Sequence, residues 1–456
     1  MRSVTHVLVR VVLAAGLPAV LGCASVPPAP PAYPSRAVPV SVSPPAPRPA
    51  GAAPRGEDTD TAVRPASAVE PVPAFPGLND LLALAQARNP DLAAAAARVG
   101  EARGRMVQAG LYPNPTVGYS GNQINDGPGT PGQQGGYVAQ EFVTAGKLRI
   151  ATAAARAGVS AADWQAASTW FDTAARVRTA YVEYLTARAV LRETERTAEL
   201  FAGGLDRAEK LTAGGKAEAY DVTRLRVETV QIANRVGGAR QRVAAAERLL
   251  AVAVGVAQLP AIAEGELPPA VALPGYDEAV ELTGRSSFVL AAAAEAEQAR
   301  GELRAAEVRP VPNVHTMTTV AHDYTTRAPM ASVQVGVPLP VFDRNRGNIA
   351  AAQARLVAAE AGVEQARLRA TERLAGAYQR YENARRQLDL YRTRVLPDAA
   401  AALEQIDRVY AARGERFLDT LDARRVLTQA RIDYTQTLGD LWAAAAEIEA
   451  VTQPGR

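Results

Sequence analysis

The sequence is poor in the residues on which catalysis and compact cores depend. Its 456 residues include one cysteine and three histidines, and only 5% are aromatic. A single cysteine cannot form an internal disulfide bond. Three histidines leave little acid–base chemistry, and the sequence contains no nucleophile–base constellation, phosphate-binding loop or zinc-ligand spacing. These absences argue against an enzyme, and we expect no cofactor and no bound metal.

An excess of charge of one sign and a long internal apolar run are also missing. The 50 basic and 47 acidic residues nearly balance and form no basic block, which argues against nucleic-acid binding. No stretch of about 20 uninterrupted apolar residues lies downstream of the N-terminal segment, so no transmembrane helix is expected. A mature chain that crosses a membrane would have to do so as strands.

The N-terminal segment, residues 1–22, is typical of a bacterial lipoprotein signal peptide. Arg2 and Arg10 carry positive charge, and the apolar run that follows ends at Gly22-Cys23. Processing would leave Cys23 as a lipidated first residue, and Ala24 in place of aspartate favours sorting to the outer membrane. The alternative is a plain signal peptide with an incidental cysteine.

An internal repeat is the most informative feature that is present. Ala102-Arg103-Gly104 recurs about 197 residues later as Ala299-Arg300-Gly301. Each copy leads into a proline bracket, a short segment with two prolines that flank one residue. A repeat of this size indicates a duplicated architecture. The brackets hold Pro113 and Pro115 in the first half, and Pro310 and Pro312 in the second.

The repeat and the composition divide the chain into segments. An extended tether rich in proline and alanine is predicted at residues 23–77. The pattern predicts a first repeat at 78–255, a linker at 256–275, a second repeat at 276–450 and a tail at 451–456. Apolar spacing of three and four predicts helices at about 78–110, 144–213, 217–254, 276–308, 343–412 and 416–450, and alternation predicts strands at 116–123, 136–143, 313–323 and 331–338. Asn89-Pro90 interrupts the first of these helical patterns, which predicts a helix break or a restart with Pro90 in the first turn.

The predicted lengths indicate how the helices pack. A stretch of about 70 residues makes a helix of about 105 Å, and the two shorter helices of the same half add up to about that length. Each half is therefore predicted to form two antiparallel rods, with a strand hairpin that emerges at the proline bracket. One rod is a continuous helix, and the other is spliced, which means that two shorter helices meet end to end. Gly203-Gly204 and Pro397 are expected to bend or interrupt the long rods.

Four strands of eight to eleven residues can cross an outer membrane, but they cannot close a barrel alone. Open strand edges are not tolerated in lipid, so several chains must combine their strands. Cyclic symmetry then closes the barrel, and a trimer would supply twelve strands. The predicted fold is mainly α with a small β part.

These segments resemble the TolC-like outer membrane efflux family and, within it, the lipoprotein components of cation and drug efflux systems. The resemblance lies in Pro338-Leu339-Pro340-Val341-Phe342-Asp343-Arg344-Asn345-Arg346-Gly347, in Glu141-Phe142-Val143-Thr144-Ala145-Gly146-Lys147 and in Asn89-Pro90. It covers about residues 78–450. It implies a homotrimer in a Gram-negative outer membrane, with a twelve-stranded barrel on a long periplasmic α-barrel. It further implies that an inner-membrane pump and a periplasmic adaptor protein dock at the far end, and that the cargo is heavy-metal cations or drugs.

The resemblance also assigns roles at the far end of the helices. The hairpins are expected to turn at Gly214, Gly215 and Gly414. Aspartates just beyond these turns line the closed entrance in the family, where three copies form rings that attract cations. The alternative is that each aspartate stabilises a helix N-terminus. The candidate gate residues are Asp221, Asp419 and Asp422, with Arg413 and Arg416 as partners or as solvated side chains.

The junction between strands and helices is the second candidate region. Its residues are Pro113, Pro115, Pro310, Pro312, Pro338, Pro340, Asp343, Arg344 and Arg346, and we expect a structural role at the level of the lipid headgroups. His315, Met317, His322 and Met330 lie on the second hairpin. Alternation puts His322 on the opposite face from His315 and Met317, so we do not expect a metal site there.

Two other functions share parts of this pattern. An outer-membrane conduit for type I protein secretion would use the same fold, and the inner-membrane partner would select the cargo. A coiled-coil structural lipoprotein without a pore would have the same helical periodicity. The duplicated strand hairpins with their proline brackets distinguish a channel from such a rod.

Overall fold

A computed structural model describes residues 77–124, 129, 131–214, 219–262, 265–268, 272–413 and 417–453. The predicted signal peptide, Cys23 and the predicted tether up to residue 76 lie outside the described residues. Within the described ranges, no helix is both long enough and apolar enough to cross a membrane.

The described part of the first half contains four helices, as predicted. Asn89 ends the first helix and begins the second, because its Oδ1 accepts a hydrogen bond from the Asp91 backbone N–H at 2.9 Å and Pro90 opens the next turn. The predicted break at Asn89-Pro90 is therefore confirmed. The helices are α1 (Leu78–Arg88), α2 (Pro90–Ala109), α3 (Lys147–Ala213) and α4 (Ala219–Val254).

The second half repeats this order with one departure from prediction. We expected a single helix over 276–308, but the chain breaks after Thr283, and Ser286 caps the next helix through its Oγ and the Val289 N–H. This interruption is the counterpart of the one at Asn89. The helices are α5 (Tyr276–Thr283), α6 (Ser287–Val308), α7 (Arg346–Leu390), α8 (Leu396–Arg413) and α9 (Phe417–Thr452).

The expected interruption of the long rods occurs only at the proline. A π-helical turn, Tyr391–Val395, lies directly before Pro397, and the Leu396 N–H bonds to the carbonyl oxygen of Tyr391, five residues back. Proline removes a helical N–H and crowds the preceding turn, so the hydrogen-bond pattern shifts. At Gly203-Gly204 α3 continues without interruption, because glycine costs conformational entropy but keeps its N–H.

The paired rods are present in both halves. α2 and α4 both pack along α3, and α6 and α9 pack along α7. The 67 residues of α3 make a helix of about 100 Å. α3 also contacts α6 and α9, which joins the two halves. Many of the buried positions are alanines, and these let the rods approach closely.

The splice between α2 and α4 depends on two residues. The Asn89 Nδ2 donates a hydrogen bond to the carbonyl oxygen of Ala253 at 3.1 Å, and the side chain is 4% exposed. Gly255 follows with a φ of +89°, and a Cβ there would lie 2.7 Å from the Asn89 Cα. The end of α4 therefore fits against the start of α2 only with glycine at this position.

The strands form one antiparallel sheet in chain order, with β1 and β4 at its edges. Each hairpin pairs within itself, and β2 pairs with β3 across the two halves. Within the described ranges neither β1 nor β4 pairs with a strand on its outer side, so a row of backbone groups remains open at each edge. The strands are β1 (Thr116–Asn122), β2 (Gln133–Phe142), β3 (Val314–Asp323) and β4 (Ala328–Gly336).

The register separates the two faces of the sheet by polarity. On the first face one cross-strand row reads Val117, Val138, Thr318 and Val333, and the three valines are more than half exposed. On the second face the adjacent row reads Gly118, Tyr137, Thr319 and Ser332. We call these the apolar face and the polar face. Both acidic residues of the four strands, Glu141 and Asp323, lie on the polar face.

Candidate functional site

The predicted entrance lies where the helices reverse, at the end of the rods farthest from the sheet. Gly214 ends α3 with φ −88° and ψ 5°, and its N–H bonds to the carbonyl oxygen of Lys210 at 3.2 Å. It adopts a tight turn and not the left-handed conformation. Gly215, Gly414 and Arg416 lie outside the described residues, as does the side chain of Arg413.

Asp422 is held by arginines that sequence reasoning missed. The Arg224 Nη2 on α4 lies 3.2 Å from the Asp422 Oδ2 on α9, and the Arg425 Nη2 lies 3.5 Å from the other carboxylate oxygen. Arg224 also pairs with Glu228 at 3.4 Å. The i,i+3 spacing of Asp422 and Arg425 could have revealed one pair. The pair with Arg224 joins two hairpins 198 residues apart in sequence.

The contact between Arg224 and Asp422 is an interaction between charged groups. The neighbouring carboxylates, first Asp422 and then Glu228, raise the pKa of the Arg224 guanidinium above its ordinary value. Arg224 therefore stays cationic at every accessible pH. The contact lies at the surface, so its strength depends on ionic strength.

The two other aspartates lie at the starts of their helices. Asp221 is in the first turn of α4, and Asp419 is in the first turn of α9. Both positions suit helix stabilisation by an acidic side chain. Just beneath them, an apolar cluster packs Phe201 of α3, Leu225 of α4 and Leu421 of α9 together. The ends of the two hairpins are thus fixed to each other by apolar contact as well as by charge.

A groove opens between the hairpins, next to this cluster. It has a volume of about 280 Å³ and lies between α3, α4 and α9. Three arginines line it, Arg235, Arg242 and Arg425. On the neighbouring surface the Arg424 Nη2 pairs with the Asp407 Oδ2 at 3.5 Å, which ties α9 to α8. The groove is therefore basic and bounded by rigid helices.

The junction after β2 is closed by contacts to the second proline bracket. The Thr144 Oγ1 donates to the carbonyl oxygen of Pro312 at 2.6 Å, and its backbone N–H donates to the Asn313 Oδ1 at 3.3 Å. The Lys147 Nζ donates to the carbonyl oxygen of Val311 and, at 2.7 Å, to the Asn313 Oδ1. Burial lowers the pKa of Lys147, and Glu141 partly offsets that shift.

The junction after β4 has a different environment. Asn345 is buried, and its Nδ2 donates to the carbonyl oxygen of Ala306 at 2.7 Å. The Asp343 Oδ1 accepts from the Asn345 backbone N–H at 2.8 Å, but Arg344 and Arg346 are exposed. Phe342 is 99% exposed. Pro338 and Pro340 lie on this exposed segment, and Pro113 and Pro115 lie on the equally exposed segment before β1.

The histidines of β3 are separated as the sequence predicted. His315 and Met317 lie on the polar face, where the His315 Nε2 is 4.0 Å from the Glu141 Oε1, and His322 lies on the apolar face. Met330 pairs with Ala321 and lies on the polar face as well. Among the described residues, no group of three or more histidine, cysteine, aspartate and glutamate side chains could hold a metal ion.

Known proteins share this architecture. Residues 81–256 and 280–452 match the model of the outer membrane efflux protein family. The cobalt-zinc-cadmium resistance protein CzcC of Cupriavidus metallidurans is 27% identical over 395 residues, 83% of this chain and 92% of that protein.

Solved structures show the same fold. The structure of CusC, described in terms of folding and transmembrane channel formation, superposes with a TM-score of 0.69 at 18% identity and covers 82% of this chain and 91% of its own. The outer membrane protein VceC of Vibrio cholerae gives a TM-score of 0.68 at 19% identity, with 83% and 97% covered. A structural lipoprotein without a pore is therefore not what this sequence encodes. The chain belongs to the outer membrane efflux protein family, and it is an outer membrane efflux channel.

Proposed function

We propose that this chain forms a homotrimeric exit duct, which receives cargo from a periplasmic adaptor protein and an inner-membrane pump. The observation that carries this proposal is the four-stranded sheet with an apolar face, a polar face and two unpaired edges. Such a sheet satisfies its backbone in lipid only when the edges of several copies pair. Three copies give twelve strands, with the apolar face towards lipid and the polar face towards the lumen.

The helices continue the duct into the periplasm. Their rods of about 100 Å lie side by side, so three chains in a ring form a helical cylinder below the strands. The entrance is at the helix ends that carry Asp221, Asp419 and Asp422. Rings of these carboxylates favour cations, and the pair between Arg224 and Asp422 holds the two hairpins of each protomer together.

The adaptor docks, in this proposal, at the basic groove between α3, α4 and α9. The groove presents Arg235, Arg242 and Arg425, which suit an acidic helical surface. Replacing Arg235 and Arg242 with glutamate should abolish copurification with the periplasmic adaptor protein. Replacing Arg105 and Arg386, on helix surfaces away from the groove, is the matched control. Unchanged copurification would place the adaptor elsewhere.

The cargo we propose is divalent transition-metal cations. Similarity to a cobalt-zinc-cadmium resistance protein supports this cargo, as does the acidic entrance. A deletion strain should grow more slowly in zinc, cobalt or cadmium and recover when the gene is restored. Sensitivity to antibiotics alone would indicate a drug duct, and loss of a secreted protein would indicate type I secretion.

Channel formation itself is tested in planar lipid bilayers. The purified protein should insert as a three-chain species and conduct ions, with selectivity for cations. Cross-linking of the detergent-solubilised protein should give a dominant trimer. A monomer that keeps its full strand content would contradict the proposal.

We also propose a lipid anchor at Cys23, on the basis of the sequence. Mass spectrometry of the mature protein should find an acylated N-terminal cysteine, and Cys23→Ser should remove the lipid. The variant should still reach the membrane because the strands anchor the trimer independently. An unmodified N-terminus elsewhere would indicate an ordinary signal peptide.

A further inference from the structure

The two strand-to-helix junctions of the chain are equivalent in conformation. Gly146 precedes α3 with φ 64° and ψ 20°, and Asn345 precedes α7 with φ 59° and ψ 17°. Both are left-handed, and each is followed by a cation that opens the helix, Lys147 in one half and Arg346 in the other. Arg346 therefore occupies in the second half the place that Lys147 occupies in the first.

Lys147 has a defined partner. It donates to the carbonyl oxygen of Val311, the residue between the two prolines of the second bracket, and to the Asn313 side chain. The residues at this first junction are covered as a result: Thr144 and Lys147, Pro312 and Asn313 are half-buried. One half of the chain is thus clamped onto the start of β3.

At the second junction, Arg346 has no such partner among the residues that the structure describes. The segment that corresponds to the second bracket is the first bracket, with Asn114 between Pro113 and Pro115. That segment precedes β1, at the opposite edge of the sheet from β4, with β2 and β3 in between. Residues 111–117 and 337–344 are all exposed, and among the described residues Arg346 forms no ion pair.

The internal repeat shows which residues of the first proline bracket correspond to the partners of Lys147 in the second bracket. Val311 corresponds to Asn114 and Asn313 to Thr116, because both brackets align on their prolines. β1 and β4 run antiparallel, as neighbouring strands of this sheet do, so the end of β4 in one copy meets the start of β1 in the next. A head-to-tail contact of this kind closes in a ring.

We propose that Arg346 of one copy clamps the first proline bracket of the next copy, donating to the carbonyl oxygen of Asn114 and to the Thr116 hydroxyl. This contact is the intermolecular equivalent of the one that Lys147 makes within the chain. The proposal rests on the trimer described above and adds the residues that join its protomers. Glu141, which accepts from Asn313 within the chain at 2.6 Å, corresponds to Pro340, so the intermolecular clamp has fewer hydrogen bonds.

The same correspondence explains the position of the prolines. Pro113, Pro115, Pro338 and Pro340 all flank the two edge strands, just beyond the last ladder pairs. Proline cannot donate to a strand ladder, so these segments end the pairing between copies. The Pro113 carbonyl oxygen accepts from the Gln140 Nε2 of its own chain at 2.9 Å, so the carbonyl oxygen of Asn114 is the one that Arg346 of the neighbouring copy contacts where the ladder ends.

Arg344 provides a matched control for Arg346. It is exposed, it lies two residues away, and it corresponds to Ala145, which makes no polar side-chain contact. In detergent, Arg346→Ala should lower the temperature at which the trimer dissociates on electrophoresis, and Arg346→Lys should retain the wild-type value. Arg344→Ala should leave the dissociation temperature unchanged.

Cross-linking between differently tagged copies tests the geometry directly. On a Cys23→Ser background, one copy carries Asn114→Cys and the other Arg346→Cys, and a short bis-maleimide should join the two tags. A pair with Ala328→Cys in place of Arg346→Cys, at the far end of β4, should not be joined. An unchanged dissociation temperature for Arg346→Ala, or the absence of the cross-link, overturns the clamp. In either case a wild-type trimer leaves the proposed function standing, whereas a wild-type monomer contradicts the proposed function itself.

Discussion

Arg224 and Asp422 form an ion pair across 3.2 Å, and each belongs to a different half of the duplicated chain. The pair therefore links the ends of the two helical hairpins. Arg425 approaches the same carboxylate from one turn further along α9. Movement of one hairpin relative to the other has to break the contact with Arg224 but leaves the contact with Arg425 intact.

This difference predicts separate effects for the two arginines. Arg224→Ala should raise conductance in planar bilayers, because it releases the hairpins from each other, and Arg425→Ala should change it little. The pair is exposed to solvent and screened by salt, so the effect should shrink at high salt. Equal conductance for Arg224→Ala and wild type would make the pair a surface contact without a gating role.

The proposed rings of carboxylates at the entrance predict that ion selectivity depends on Asp419 and Asp422. Asp419→Asn together with Asp422→Asn removes six negative charges from a trimer at its entrance, and cation selectivity should fall. Reversal potentials in a salt gradient measure this. Asp389→Asn with Asp398→Asn removes the same charge from helix surfaces away from the hairpin ends and is the control. Unchanged selectivity in an assembled trimer would assign Asp419 and Asp422 to helix stabilisation.

The two faces of the sheet predict opposite tolerance to charge at neighbouring positions. Val138→Arg places a cation on the apolar face and should impair assembly in the outer membrane, at a cost of about 2–4 kcal/mol near the middle of the bilayer. Ala139→Arg lies on the polar face and should be accepted. Membrane fractionation and trimer yield distinguish them. Equal yields for both variants would place the strands outside lipid.

The splice between α4 and α2 predicts a loss of stability without loss of fold. Asn89→Ala removes a helix cap and the bond to Ala253, which together stabilise by about 2 kcal/mol. Gly255→Ala forces a left-handed alanine against Asn89 and should cost at least as much. Gly237→Ala, where a Cβ meets no neighbouring atom, should be neutral or stabilising. Thermal unfolding followed by circular dichroism measures all three.

The carboxyl group of Asp163 predicts a pH-dependent difference in stability between the wild type and a variant that lacks this charge. Burial raises its pKa, and Arg103, 3.6 Å away, only partly opposes this. A raised carboxyl pKa means that the folded state holds the proton more tightly, so stability falls as pH rises from the unfolded value through the folded one. Asp163→Asn should therefore be more stable than wild type at neutral pH, with no advantage at about pH 3. An equal difference at both values would contradict this cause.

Local residue preferences accounted for most of the secondary structure. The sequence alone predicted the helices and strands because their signals are local. These signals are the cap at Asn89-Pro90, the alternation of apolar residues in the strands and their three- and four-residue spacing in the helices. The break before Ser286 was missed although Gly284 is a common residue at a helix end and Ser286 a common N-cap. Glycine also lies inside α3 at Gly203-Gly204, so a single glycine does not decide where a helix ends. The effect of Pro397 was predicted because proline lacks the backbone N–H of a helical hydrogen bond in any tertiary environment.

The sequence by itself determined the duplication, the rods and the hairpins, because repeats and periodicity are properties of the chain in one dimension. Only the tertiary structure decided which side chains meet. Arg224 and Asp422 are 198 residues apart, and their pairing depends on how α3 packs against both α4 and α9. Lys147 and Val311 likewise meet because β2 pairs with β3 across the two halves. Such contacts follow from the packing of whole helices and strands, and no local pattern encodes them.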